Sequence, residues 1–260
     1  MSPLPRLSTY SAFSTKPLAA EDPAREVLAH GLQRTATRHA RTVRDFPMRQ
    51  AAGLGNLQGR APRYDVVRVE RILNPRLQDK YLAEVQDIAG LCGKTVRDAL
   101  HDVDAQRVVS LEGLQLNEFM LYHGAPSVGR DGEDLITHLQ KQGLDPRLAG
   151  MHFGKMFGAA TYMATNSSKS DIYTRPGEDG LRCILVVRAC LGEPHRAKTA
   201  DPNMSVPPAR PAGTAGRLNS VVGLTNREGG ALEHREYMVS CRGIALPVLR
   251  CLAPCRACFC

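Results

Sequence analysis

The run CILVVRAC, Cys183 to Cys190, constrains the fold of this 260-residue chain more than any other stretch. Interrupted only by Arg188, it reads as a continuous apolar strand of the kind that sits inside a sheet. It is far shorter than the roughly 18 apolar residues a membrane span needs, and no other stretch approaches that length, so a soluble or peripheral protein with no membrane partner is expected. Three further segments have strand character. In YDVVRVERIL, from Tyr64, Val67 and Val69 alternate with charged residues; EFMLYHG, Glu118 to Gly124, is short and ends at a glycine; EYMVS, from Glu236, alternates.

Helices are fewer. In NPRLQDKYLAEVQDI, Asn74 can cap and Pro75 can take the first helical position, and Leu77, Tyr81, Leu82, Val85 and Ile88 keep one apolar stripe. EDLITHLQKQG is a one-sided helix that Gly143 can end. Strands outnumber helices in the second half, which predicts an α+β domain with largely antiparallel sheets. DPNMSVPPARPAG, Asp201 to Gly213, reads as a proline-rich surface loop.

Charge divides the chain. Residues 1–63 hold ten Lys and Arg against four Asp and Glu, so +6 of the net +8 lies there. Residues 1–24 are rich in Ser, Pro, Thr and Ala and read as disordered, Arg25 to about Val43 as a weak helix, and AAGLGNLQGRAPR as a linker ending at Arg63. The expected organisation is a basic, largely disordered extension over 1–63, a folded domain over 64–252 and a cysteine-rich tail over 253–260. The extension is the one part suited to nucleic acid or an acidic partner. The first thirty residues lack an apolar block of signal-peptide type, and the eight cysteines form no disulfide framework, so reduced thiols in the nucleus or cytoplasm are expected. Cys251, Cys255, Cys258 and Cys260 could supply four thiolates, but their spacing is unlike that of a zinc ribbon, and no metal is expected.

Three segments then line up in order: LYHGAP at 121–126, MFGAATYMATNSSKSDIY at 156–173 and EHREYMVS at 233–240. Singly each is weak. A histidine at a strand end is usually packed or solvated, a Ser-Lys-Ser cluster is usually a helix cap, and a lone tyrosine is usually core. Jointly they resemble the catalytic domain of the poly(ADP-ribose) polymerases, the diphtheria-toxin-like branch of the ADP-ribosyltransferases. The GLDP, LGEP and NSVVG segments are similar to further landmarks of that family, and NSSKSDIY looks closest to its tankyrase-like members. The resemblance covers about 190 residues.

It implies a fold of two mainly antiparallel sheets around an NAD cleft with flanking helices. It implies NAD+ as co-substrate, with ADP-ribose transferred to protein acceptors, automodification included. The His-Tyr-Glu triad of the family falls on His123, Tyr162 and Glu236. Gly124 and Ser170 would hold the nicotinamide carboxamide, Tyr173 would stack on the ring opposite Tyr162, and Arg147 would join His123 on the rest of the dinucleotide. Glu236 is preferred to Glu233 because it directly precedes the Tyr-Met-Val run. The intact triad would permit elongation to poly(ADP-ribose).

Departures from the family pattern mark the points to check. Ala160 stands where a glycine is usual, and costs roughly 1–2 kcal/mol if the backbone there is left-handed. Ala125 stands where a hydroxyl residue is usual. RPGEDGLR, at 175–182, contains no cysteine or histidine for the zinc that tankyrase-like members carry near there. These substitutions keep open a second expectation, a catalytically weak module of the same fold that binds NAD+ or a partner.

Overall fold

The computed structural model describes residues 13–36, 63–93, 95–102, 104, 106–108, 114–128, 132–146, 156–211, 215–241 and 243–256. In chain order the strands are β1 (Ser14–Pro17), β2 (Arg63–Tyr64), β3 (Arg68–Leu73), β4 (Gln106–Arg107), β5 (Glu118–Gly124), β6 (Thr161–Ala164), β7 (Arg182–Cys190), β8 (Pro194–Ala197), β9 (Ser220–Gly223), β10 (Glu236–Val239), β11 (Ala245–Ala253) and β12 (Cys255–Arg256). The helices are α1 (Pro23–Arg34), α2 (Pro75–Cys92), α3 (Leu135–Gln142) and α4 (Ser167–Asp171).

The apolar run lies in β7, at the centre of a sheet ordered β1-β3-β11-β7-β5-β6-β10-β9-β8, with β4 also on β5. Alternate side chains of a strand face opposite ways, and both faces of β7 are covered. Leu185, Val187 and Ala189 join Tyr81, Val85 and Ile88 of α2 and Ile136 and Leu139 of α3 in the main core. Ile184 and Val186 join Leu28 and Leu32 of α1 in a second core. Arg188 is tolerated in the run because its Nε binds the buried Glu118 carboxylate, which also accepts from the Tyr81 hydroxyl.

The expected helix signals operate. Asn74 accepts from Leu77 N at 3.2 Å with Pro75 at the first position of α2, and Asp134 accepts from Thr137 N at 2.9 Å to start α3. Gly143, at φ 85°, ends α3.

The expected mainly antiparallel sheets are β1-β3-β11-β7-β5 with β4, and β6-β10-β9-β8, joined into one ten-stranded sheet through a single ladder pair, Tyr122 with Ala164. The ladders are antiparallel except β8 with β9, and β2 and β12 form a small separate pair. The N-terminal stretch, in turn, is not an unstructured tail over the residues described. Ser14–Pro17 pairs with β3 from Ser14↔Leu73 to Pro17↔Glu70. Helix α1 begins at Pro23, capped by the Asp22 carboxylate on Ala24 N, and ends at Arg34. Its apolar side is Leu28 and Leu32, while Val27 is exposed. The helix expected from Arg25 is thus present and ends earlier than Val43, and its few apolar residues sit at i and i+4, enough to cover one strip of sheet. The linker before residue 63, and Cys258 and Cys260, lie outside the described residues, whereas Cys251 is buried in β11 with its thiol pushed up to about 12 by burial.

Candidate functional site

The expected site residues gather where β5, β6 and β10 adjoin. Ala164 of β6 pairs with Tyr122 on one side and Glu236 on the other, and Tyr162 pairs with Met238. His123 therefore lies one residue beyond the β5–β6 junction, and Glu236 opens the next strand but one.

His123 Nδ1 lies 2.8 Å from the Tyr162 carbonyl oxygen. A carbonyl only accepts, so Nδ1 carries the proton and Nε2 is left as an acceptor. Burial pushes the imidazole below its ordinary range, against the opposing pull of the Tyr162 bond, which keeps the ring neutral. The Tyr162 phenol accepts from Phe157 N at 2.9 Å and donates to Gly158 O at 2.8 Å, so it is pinned to the preceding turn. Burial pushes it up to about 12; the Phe157 bond opposes this, and the nearby Glu236 and Tyr173 add to it. Tyr162 is thus a neutral wall, with Glu236 and Tyr173 close enough to act on it through space.

That turn answers the question raised by Ala160. Among the described residues, the positive-φ non-glycine is Asn117, so Ala160 carries no left-handed strain. The left-handed position is Gly158, at φ 81°, where a Cβ would lie 1.6 Å from the Met204 carbonyl oxygen. Ala160 instead packs with Phe157, Val221 and Met238.

Helix α4 starts at Asn166, whose side chain accepts from Lys169 N at 2.9 Å. Ser170 Oγ donates to the Tyr122 carbonyl at 2.9 Å, docking α4 on β5. This contact gives Gly124 a reason of its own: a Cβ there would lie 1.8 Å from the Ser170 carbonyl oxygen. Tyr173 follows one turn later, half-buried, its N–H donating to Ser170 O at 3.1 Å. Ala125 is buried in the main core. Arg147 lies outside the described residues.

The Glu236 carboxylate is buried, and its Oε1 lies 3.1 Å from Lys169 Nζ. The same ammonium sits 5.7 Å from the centroid of the Tyr173 ring. Lys169 was not among the expected site residues. Its signal was the i, i+4 spacing from Tyr173 across a capped turn, which puts both on one face. Asp102 was also missed. Side chains flanking Glu236 face the other way along the strand, and there Asp102 Oδ2 accepts from Tyr237 at 2.5 Å and from Thr165 at 3.1 Å. Beside it, Arg235 Nη1 donates to the His101 carbonyl at 2.7 Å, and its guanidinium binds Glu228. Glu233 lies in the bend before β10, its Oε1 3.8 Å from His234 Nε2. Glu236, not Glu233, is therefore the carboxylate beside Lys169.

Chemically, the arrangement offers a neutral imidazole acceptor, two aromatic rings and a buried carboxylate with its counter-ion, on three successive strands and the short helix docked on them. A family model described as the poly(ADP-ribose) polymerase catalytic domain matches residues 51–236, from before β2 to the first residue of β10. The human protein mono-ADP-ribosyltransferase PARP14 is 25% identical over 131 residues, which make up 50% of this chain and 6% of that protein. By the extent of the family match, together with the convergence of His123, Tyr162 and Glu236, this chain belongs to the poly(ADP-ribose) polymerase catalytic-domain family.

Proposed function

We propose that the chain is an NAD+-dependent protein ADP-ribosyltransferase that breaks the nicotinamide–ribose bond and passes ADP-ribose to a protein side chain. The observation that carries this is the buried Glu236 carboxylate, held beside Lys169 of α4 on the strand that adjoins that of Tyr162, which in turn adjoins that of His123. When the C1′–N bond breaks, its electron pair returns to the pyridinium nitrogen and nicotinamide leaves neutral, so no general acid is needed. Positive charge develops at C1′, and a fixed carboxylate nearby stabilises it without reorganisation. The acceptor's lone pair then forms the new bond to C1′, and a hydroxyl acceptor passes its proton to Glu236. His123 Nε2, an acceptor by the tautomer argument, suits a ribose hydroxyl. Tyr162 and Tyr173 suit the faces of the nicotinamide ring, whose stacking adds roughly 0.5–1.5 kcal/mol beyond burial. Gly124, Ser170 and Arg147 are proposed as further NAD+ contacts, in keeping with the family.

The test is nicotinamide release and transfer from labelled NAD+ by the full chain. Glu236→Gln is expected to lower turnover by about 10²–10³-fold while leaving NAD+ binding within a few-fold of the wild type. A wild-type chain that neither transfers nor hydrolyses would refute the enzymatic assignment. A carboxylate in this position can serve a sugar hydroxyl as well as a protein side chain, and a denaturing gel separates a discrete modified band from a polymer ladder.

A further inference from the structure

Helix ends leave carbonyls and amides without intrahelical partners. The C-terminal end of α1 and the N-terminal end of α4 supply each other. Ser167 Oγ donates to the Leu32 carbonyl at 2.6 Å, and Ser167 N donates to Thr35 Oγ1 at 3.3 Å. The Thr35 hydroxyl itself donates to the Gly31 carbonyl at 2.9 Å, which fixes its rotamer. It also lies close enough to the phenol of Tyr122, the residue immediately before His123, to act on it. Gly31 lets that phenol approach, since a Cβ there would lie 3.0 Å from the Tyr122 hydroxyl oxygen. Thr35 is 1% exposed and Ser167 fully buried. The end of α1 at Thr35 therefore lies against both α4, which carries Lys169 and Ser170, and the Tyr122 side chain of β5, the strand that carries His123 and Gly124. Residue 35 lies outside the 51–236 span that matches the family.

We infer that Thr35 is a positioning residue: seated between α4 and β5, it sets the spacing of the two elements that bear the candidate NAD+ contacts, so the chain's own N-terminal segment completes the site. The inference rests on the function proposed above, but only for its kinetic part. α4 is five residues long, too short to hold itself in place by helix formation, so its position is set by what its ends bind.

The test compares Thr35→Val, which keeps the shape and removes the hydroxyl, with Thr35→Ser, which keeps the hydroxyl, both in the full chain. Thr35→Val is expected to raise the KM for NAD+ about five-fold, the worth of one ordinary hydrogen bond, with kcat within about two-fold. Amide hydrogen exchange over 167–171 is expected to quicken in Thr35→Val and to stay at the wild-type rate in Thr35→Ser. General destabilisation would lower the melting temperature without this KM-against-kcat split and without rescue by serine. If Thr35→Val does not fold, Ser167→Ala removes the reciprocal bond to Leu32 and is expected to show the same two effects. Unchanged KM and exchange in Thr35→Val, or a Thr35→Ser variant as impaired as Thr35→Val, would overturn the inference and leave the proposed function standing. A wild-type chain inactive on NAD+ removes the proposed function instead, and exchange over 167–171 then decides whether Thr35 positions α4.

Discussion

Lys169 is the counter-ion of the buried Glu236 carboxylate. A carboxylate taken out of water neutralises unless a counter-ion compensates the lost hydration, and removing one partner of a buried pair costs about 3–5 kcal/mol. With side-chain exposures of 13% and 7%, Lys169 and Glu236 form such a pair. Lys169→Met is therefore expected to lower the unfolding free energy by a few kcal/mol, and adding Glu236→Gln to recover much of that loss. Chemical denaturation of the four proteins in the cycle measures the coupling; simple addition of the two single effects would contradict it. The sequence named His123, Tyr162 and Glu236, and the structure brings them together, because their surroundings are short motifs with fixed neighbours. Lys169 stood inside one of those motifs yet went unassigned, since a lysine between serines reads as solvated until a carboxylate from 67 positions away arrives beside it. The glycines behave alike. A need for Gly158 shows only when the Met204 carbonyl is found against it.

At the level of elements, β7 held more information than was extracted from it. A strand apolar on both faces requires two covers. α2 and α3 were legible as one cover from their stripes and caps; the other is α1, expected only as a weak helix inside a basic extension. The loop from Leu224 to Ala231 follows β9. Its shape comes from a reciprocal cap, in which the Glu228 carboxylate accepts from Thr225 N at 3.0 Å and Thr225 Oγ1 at 2.9 Å while Arg235 binds the same carboxylate. Burial pushes Glu228 up, but Arg235 and the Thr225 donors outweigh it and hold the carboxyl at about 2. Its folded pKa is depressed, so its contribution to stability is fully present above the ordinary 4.5 and is lost as pH falls from there toward about 2. Hydrogen exchange in the 225–232 loop, compared at matched intrinsic rates, should therefore show protection falling between pH 4.5 and 3. Glu228→Gln should lack protection at every pH and flatten the profile. An equally steep loss in the variant would place the acid sensitivity elsewhere.

For the whole molecule, the family match and the folding unit have different limits. The matched span, 51–236, omits β1, α1, most of β10, β11 and β12. β3 has two ladder partners, β1 from Ser14↔Leu73 and β11 from Leu249↔Arg71, and both lie outside that span. Central β7 would likewise lose β11, against which it pairs from Ala245↔Ala189 to Ala253↔Arg182. Without α1, Ile184 and Val186 would lose Leu28 and Leu32 and face water, at roughly 1.5–3 kcal/mol for each large apolar side chain uncovered. Part of the basic surplus of residues 1–63 is also spent internally. Arg25 donates to the Val67 carbonyl at 2.8 Å, and Arg34 pairs with Asp104 at 3.0 Å. Such losses are large against the 5–15 kcal/mol by which a domain of ordinary stability is folded, and the four ladders β1–β3, β11–β3, β11–β7 and β12–β2 are removed as well. A 51–236 fragment is therefore expected to be insoluble, or to melt without a cooperative transition by circular dichroism. A 13–256 fragment is expected to keep the full chain's transition, because it retains every described strand and helix. A cooperative transition in the shorter fragment at the full-chain temperature would mean that β3 and β7 hold without β1, β11 and α1, and the packing of α1 against α4 would then be an ornament of the fold rather than a part of it.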